Sequence, residues 1–213
     1  MPYGVDMSDL RHADVSVEPL VRARHGETIA VLARAFWPDP LFGFFSRDLL
    51  AEHHQLPKVF AAFLADAAPF DGSFVARAGD RIVGAAVWVP PGSMPRSKGR
   101  EAKLQARVAR LLVTGCNRRK GLELLTAVDD VHPHEDHWYL NLLGTDPLMQ
   151  GRGIGGSLLG PTLDRADADG VPAYLETQKE SNLAFYGRYG FAIREEIRIE
   201  GAPPVWTMWR DAR

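Results

Sequence analysis

Residues 150–157 of this 213-residue chain read Gln-Gly-Arg-Gly-Ile-Gly-Gly-Ser, with glycines at 151, 153, 155 and 156. Glycine at this density lets the main chain approach a ligand closely and adopt dihedrals closed to other residues. The loop lies between a strand-like and a helix-like segment. The first amides of a helix lack intrahelical partners and carry partial positive charge. A phosphate or pyrophosphate is the expected occupant, and Arg152 adds a permanently charged donor. Gly151, Gly153 and Gly156 also satisfy G-x-G-x-x-G, with Glu176 where a ribose-binding acid would fall. A dinucleotide fold places those glycines directly after its strand, whereas residues 144–150 intervene here. The chain left downstream is also too short for the rest of such a domain, which disfavours a nicotinamide-dependent oxidoreductase.

Other residue types are less specific. His132, His134 and His137 have donor types a metal accepts, but the stretch also holds Pro133, Glu135 and Asp136 and reads as a solvated loop. No metal is expected there, because a closed zinc site wants four ligands in fixed geometry. Cys116 is the single cysteine, so an internal disulfide and a multi-cysteine zinc module are excluded. Phe36, Trp37, Phe42, Phe44 and Phe45 gather around Pro38 and Pro40, and on residue type could equally line an apolar pocket or fill core beneath a loop.

The elements that position these residues follow from hydrophobic periodicity. A first strand covers Val15, Val17, Leu20 and Val21, with an irregularity at Pro19, and a helix covers residues 27–36. Two further helical stretches fall near residues 41–54 and 57–67. Residues 73–77 and 82–89 form a hairpin across Ala78-Gly79-Asp80. The basic stretch after it places Leu104, Val108, Leu111 and Leu112 on one helical face, and a second helix lies around 122–128. A strand at 138–143, a helix at 153–168, a short strand at 173–177 and a helical turn at 182–189 follow. Strands at 193–199 and 205–209 close a mixed α/β sheet. Residues 1–13 read as a loose arm, and 14–213 as one domain.

Composition bounds the function classes. Hydrophobic residues make up 46% and charged residues 24%, the balance of a globular chain. The longest apolar run, residues 82–89, is far short of the roughly 20 residues a membrane helix needs. Asp6 and Asp9 stand where a signal peptide carries basic residues. A cytoplasmic protein with no membrane or nucleic-acid partner is the expectation, given a net charge of -2. Charge is nevertheless uneven, since Arg96, Lys98, Arg100, Lys103, Arg107, Arg110, Arg118, Arg119 and Lys120 face one acid, Glu101, within residues 96–120. Such a run usually forms a solvated helix face.

Three blocks in order resemble the GCN5-related N-acetyltransferase (GNAT) family. Leu142-Leu143-Gly144-Thr145-Asp146-Pro147 followed by Gln150-Gly151-Arg152-Gly153-Ile154-Gly155 is similar to the family's central strand and its Q/R-x-x-G-x-G/A loop. Tyr174-Leu175-Glu176-Thr177 resembles the next strand, and residues 182–191 the N-x-x-x-Y-x-x-x-G-F segment. The closing Trp206-Thr207-Met208-Trp209-Arg210 is similar to the puromycin N-acetyltransferase branch. The resemblance implies a single α/β domain with a mixed, mostly antiparallel sheet of about seven strands, a central splay and helices on both faces. It also implies transfer of an acetyl group from acetyl-CoA to a primary amine by direct attack, with a small molecule favoured over a protein as acceptor.

Within that resemblance the backbone of Leu143, Gly144 and Thr145 pairs with the pantetheine arm. Gln150, Gly151, Arg152, Gly153, Ile154, Gly155 and Gly156 cradle the pyrophosphate, and Asn182 binds the cofactor through its side chain. Tyr186 matches the proton donor to the departing thiolate, and its hydroxyl, with an ordinary pKa of about 10, is protonated at neutral pH. Glu176, His137 or a water chain could take the amine's proton. The basic stretch could meet the 3′-phosphate of coenzyme A. The other class of reading is a regulatory module that binds acyl-CoA without turnover, and on either reading a monomer or a homodimer is expected.

Overall fold

The structure, a computed structural model, describes residues 14–37, 39–46, 48–114 and 116–213, the side chains of 109–114 excepted. The expected arm at 1–13 and the side chains of Arg110, Leu111 and Leu112 lie outside the described residues. Seven strands form one sheet: β1 (Val15–Pro19), β2 (Phe74–Ala78), β3 (Arg81–Val89), β4 (Trp138–Thr145), β5 (Ala173–Thr177), β6 (Ala192–Ile197) and β7 (Val205–Arg210). Their order is β1-β2-β3-β4-β5-β7-β6, and only β4 and β5 run parallel.

Helices cover both faces. On one lie α1 (His25–Ala35), α2 (Pro40–Phe45), α3 (Leu49–Ala67), α4 (Lys98–Thr114) and α5 (Arg118–Asp130). On the other lie α6 (Ile154–Asp169) and the short α7 (Ser181–Gly187). Leu158, Leu159 and Leu163 of α6 pack on Trp88, Trp138 and Leu175. Val31 and Leu32 of α1, with Val59 and Phe60 of α3, pack on Val75 and Val87 of the opposite face. Each such side chain contributes roughly 1.5–3 kcal/mol by leaving water, so the two layers fix the sheet between them.

The helical region before the hairpin divides differently from its sequence expectation. Helix α2 ends at Phe45, and α3 begins at Leu49 and continues through Pro57. Asp48 starts α3 by accepting the Ala51 N–H at 2.7 Å, a strong N-cap. Proline at 57 removes one hydrogen bond, but the buried faces of Leu56, Val59, Phe60 and Leu64 carry the helix across it. The aromatic cluster is core in the main. Phe36, Phe42 and Phe60 stack with centroids 5.1–6.0 Å apart, while Trp37 is exposed.

The basic stretch is only partly a solvated face. Asp66 of α3 accepts from Arg96 Nε at 2.9 Å and from Arg100 Nε at 2.6 Å, and all three side chains are largely buried. Burial alone would raise the Asp66 pKa, but the hydrogen bonds and charges of Arg100 and Arg96 hold it below the ordinary carboxylate value. Lys98, Lys103, Arg107, Arg118 and Arg119 are exposed. No described helix is long and apolar enough to cross a membrane.

Candidate active site

The site begins with a defect in β4. Trp88 pairs with Leu140 and Val87 with Leu142, so Asn141 is an extra residue in β4. A bulge of this kind bends a strand and re-aims its side chains. Here Leu140 faces the α6 layer, whereas Leu142, two residues on, faces the α1–α3 layer. At the same point β4 leaves its parallel partner, because pairing with β5 ends at Leu140 and Leu175. Beyond it β5 is held by β7, through Glu176–Thr207 and Thr177–Trp206. The result is a wedge-shaped gap between β4 and β5.

The backbone groups lining that gap follow from strand alternation. Asp146 N–H donates to Val83 O at 2.8 Å, and antiparallel pairs alternate in the direction of their bonds. Gly144 therefore bonds toward β3, and the peptide groups of Leu143 and Thr145 point into the gap. The Thr145 carbonyl accepts from Gln150 Nε2 at 3.2 Å. Gly144 itself is a packing residue, since a Cβ there would meet Ala35 and Leu32 of α1 at 2.9–3.0 Å.

The glycine loop delivers helix α6 to the end of this edge. Gly153 is its N-cap at φ 78°, a left-handed conformation that costs other residues about 1–2 kcal/mol. Ser157 N–H makes the first helical bond, to Gly153 O at 3.0 Å, so the amides of Ile154, Gly155 and Gly156 precede the helical ladder. The Ile154 side chain is in the core. Arg152 Nη1 lies 3.5 Å from Met149 Sδ. Gly156 has a role the sequence does not show, because a Cβ there would collide with the Tyr189 ring. Its small size lets the segment carrying Asn182 and Tyr186 dock on α6.

Asn182 Nδ2 donates to Thr177 Oγ1 at 3.0 Å, tying α7 to the end of β5. Tyr186 packs between Phe185 and Phe191, at centroid distances of 5.0 and 5.9 Å. Burial pushes its hydroxyl above the ordinary tyrosine value. No hydrogen bond reaches that hydroxyl among the described residues, so the proton it keeps at neutral pH is available.

Glu176 belongs to the opposite face. Leu175 points into the α6 layer with Tyr186, and side chains alternate along a strand. The Glu176 carboxylate accepts the Tyr139 hydroxyl at 2.7 Å and lies 3.4 Å from His132 Nδ1. Burial, then the Glu176 charge, pushes the Tyr139 hydroxyl well above its ordinary value. His137 is 2% exposed, its Nδ1 is 2.6 Å from Glu135 O, and burial lowers its pKa. The loop expected to be solvated therefore buries two of its histidines, because their rings pack on Tyr139, Tyr174 and Trp209. Among the described residues no three His, Cys, Asp or Glu side chains converge as a metal site.

Sequence reasoning did not single out Tyr139, and it did not foresee that Tyr139 and His132 meet Glu176. Tyr139 and Tyr174 share the alternation that places Glu176, and become neighbours once the parallel register Tyr139↔Tyr174 is known. His132 carries no periodic signal. Also missed was Glu52, nearly buried at the start of α3, with its carboxyl pKa raised by burial. Nearby, Lys179 Nζ reaches Asp39 at 3.3 Å, joining the loop after β5 to the loop before α2.

Residues 30–191, which hold this open-edged strand and glycine-rich helix N-terminus, match the family model described as Acetyltransferase (GNAT) family. The chain belongs to the GNAT family. An uncharacterized N-acetyltransferase of Schizosaccharomyces pombe is 33% identical over 75 residues, covering 35% of this chain and 30% of its own. The N-alpha-acetyltransferase RimI of Mycobacterium tuberculosis is 38% identical over 77 residues, covering 34% of this chain and 48% of its own. The chain thus spans less than half the length of either curated relative. The fold is shared with a structure described as histone acetyltransferase HPA2 and related acetyltransferase from Corynebacterium glutamicum (TM-score 0.70, 23% identity, 93% of this chain and 97% of that one). It is also shared with a Drosophila melanogaster polyamine N-acetyltransferase (TM-score 0.65, 19% identity, 93% of this chain and 100% of that one).

Proposed function

We propose that this GNAT protein transfers an acetyl group from acetyl-CoA to a primary amine, with residues 14–213 acting as one cytoplasmic domain. The observation that carries this reading is the open β4 edge, continuous with the free amides at the start of α6. An extended pantetheine arm can add to such an edge as a strand does, and a pyrophosphate fits the helix terminus. In this reading Leu143 and Thr145 supply the backbone partners and Gly144 lets α1 pack behind them. The loop Gln150, Gly151, Arg152, Gly153, Ile154, Gly155 and Gly156 holds the phosphates, and Asn182 fixes the β5 end of the cleft.

Acetyl-CoA supplies a thioester, whose carbonyl carbon the amine nitrogen attacks while the C–S bond breaks. Tyr186 gives the leaving sulfur a proton from the α6 side of the gap. Glu176, on the other side, is the carboxylate that drives removal of the amine's proton. Acid and base thus come to the gap from opposite faces of the sheet, each to serve its own proton transfer. Small amines are the favoured acceptors, in line with the polyamine N-acetyltransferase that shares the fold. The Trp206–Arg210 residues support a place near the puromycin branch.

Calorimetric titration with acetyl-CoA tests the reading, with micromolar-range affinity expected and no binding fatal. Thiol release with agmatine, spermidine, tyramine and a peptide with a free α-amino group then sorts the acceptor class. Tight binding with no release on any amine would favour the non-catalytic alternative.

A further inference from the structure

The cluster around Glu176 contains more polar chemistry than a packed interior needs. Four segments build it: the loop after α5 (His132, His137), β4 (Tyr139), β5 (Tyr174, Glu176) and β7 (Trp209). The ring of His132 lies 5.1 Å from that of Tyr139 and 4.9 Å from that of Tyr174. The rings of His132 and His137 are 5.1 Å apart. Three of its polar atoms are buried without a partner: His132 Nε2, His137 Nε2 and the Tyr174 hydroxyl. A buried polar atom without a partner is costly, and a bridging water or a working role is the usual reason one persists.

The partners present settle both tautomers. An ionised carboxylate and a carbonyl oxygen only accept. His132 therefore carries its hydrogen on Nδ1, facing Glu176 Oε1 at 3.4 Å, and His137 carries its own on Nδ1, facing Glu135 O at 2.6 Å. In the neutral form of each ring Nε2 then carries a bare lone pair. Only His132 has a carboxylate behind it, and that carboxylate is itself held by Tyr139. An imidazole with one nitrogen bare and the other facing an anchored carboxylate is the arrangement of an oriented general base. The remaining charged groups facing the cluster are Arg96 ahead of α4, Asp129 on α5, Glu135 in the loop after it and Arg194 on β6.

We propose that His132 takes up the amine's proton, on Nε2 and through one bridging water, while Glu176 stays ionised opposite Nδ1–H and Tyr139 anchors Glu176. This rests on the acetyl-transfer reading and assigns Glu176 a positioning role within it. The N–C bond forms as the C–S bond breaks, the electron pair goes to sulfur, and Tyr186 protonates it. The amine's proton ends on His132 as an imidazolium paired with Glu176. Its release to water, and replacement of the Tyr186 proton from water, complete the cycle.

Nitrogen-15 NMR of the histidine-labelled full chain at neutral pH tests the premise without a substrate. His132 is expected with Nδ1 protonated and Nε2 bare; an Nε2–H tautomer overturns the proposal. The pH profile of kcat, with acetyl-CoA and the best amine of the panel, tests the role. His132→Gln should lower kcat about 100-fold and abolish its acid limb, with acetyl-CoA affinity unchanged. Glu176→Gln should lower kcat and shift the His132 nitrogen resonances with acetyl-CoA affinity unchanged, and Tyr139→Phe should give the same change in smaller measure. An unchanged limb and rate in His132→Gln overturn the proposal while leaving acetyl transfer intact. No thiol release by the wild type overturns acetyl transfer itself, and the NMR result still decides the state of His132.

Discussion

On one side of the β4–β5 gap the chain offers main-chain groups, and on the other it offers side chains. The α6 side is made of the peptide edge at Leu143 and Thr145, the amides after Gly153, and one hydroxyl at Tyr186. The opposite side is made of Glu176, Tyr139, His132 and Tyr174, with Arg96 behind them. A ligand read by backbone tolerates change in most side chains. A ligand read by side chains changes with each of them. The first arrangement suits a donor common to a whole family, and the second an acceptor that differs from member to member.

Substitutions should separate the two sides, and the largest effect is expected from Asp66→Asn. It leaves Arg96 and Arg100 largely buried without their carboxylate, and removing one partner of such a group costs about 3–5 kcal/mol. Urea unfolding reads the loss. Turnover should fall with the acceptor side while acetyl-CoA affinity of the folded fraction holds; an equal fall in affinity would break the division. Next in size, Tyr186→Phe should lower kcat about 100-fold with acetyl-CoA affinity nearly unchanged, read by steady-state kinetics beside calorimetry. A loss confined to affinity would remove its acid role.

Gly153→Ala addresses the backbone side alone. Strain at φ 78° of about 1–2 kcal/mol should weaken acetyl-CoA binding about tenfold while kcat at saturation stays close to that of the wild type. The smallest effect is a pH dependence of stability. Burial lowers the His137 pKa, so below the ordinary histidine value of about 6.5 the unfolded chain binds a proton more readily than the folded one. Thermal stability should therefore decline as pH falls through that value and level off beneath the lowered one. His137→Asn keeps a donor for Glu135 O and should flatten this part of the curve.

The last third of the chain was the most legible. Strand β5 lies where alternation places it, and β4 and α6 differ only by a residue or two at their ends, because glycines and apolar periods mark them locally. Pro57 misled because a proline reads as a stop, whereas the tertiary packing of Leu56 and Phe60 holds the helix through it. Arg96 and Arg100 read as solvated because their partner, Asp66, lies on a separate helix 30 residues or more away. His132 and His137 read as loop residues because the rings that bury them come from three different strands.

By itself the sequence determined the α6 side: where the glycine loop lies, that it opens a helix, and that Asn182 and Tyr186 follow at the family's spacing. Those features depend on dihedrals and spacings within a few residues of each other. Only the tertiary structure decided that β4 bulges at Asn141, that β5 leaves it after Leu175, and that Glu176 meets Tyr139 and His132 rather than solvent. Those outcomes depend on strand register and on side chains distant in sequence, and a linear pattern holds no information on which of them will share one face.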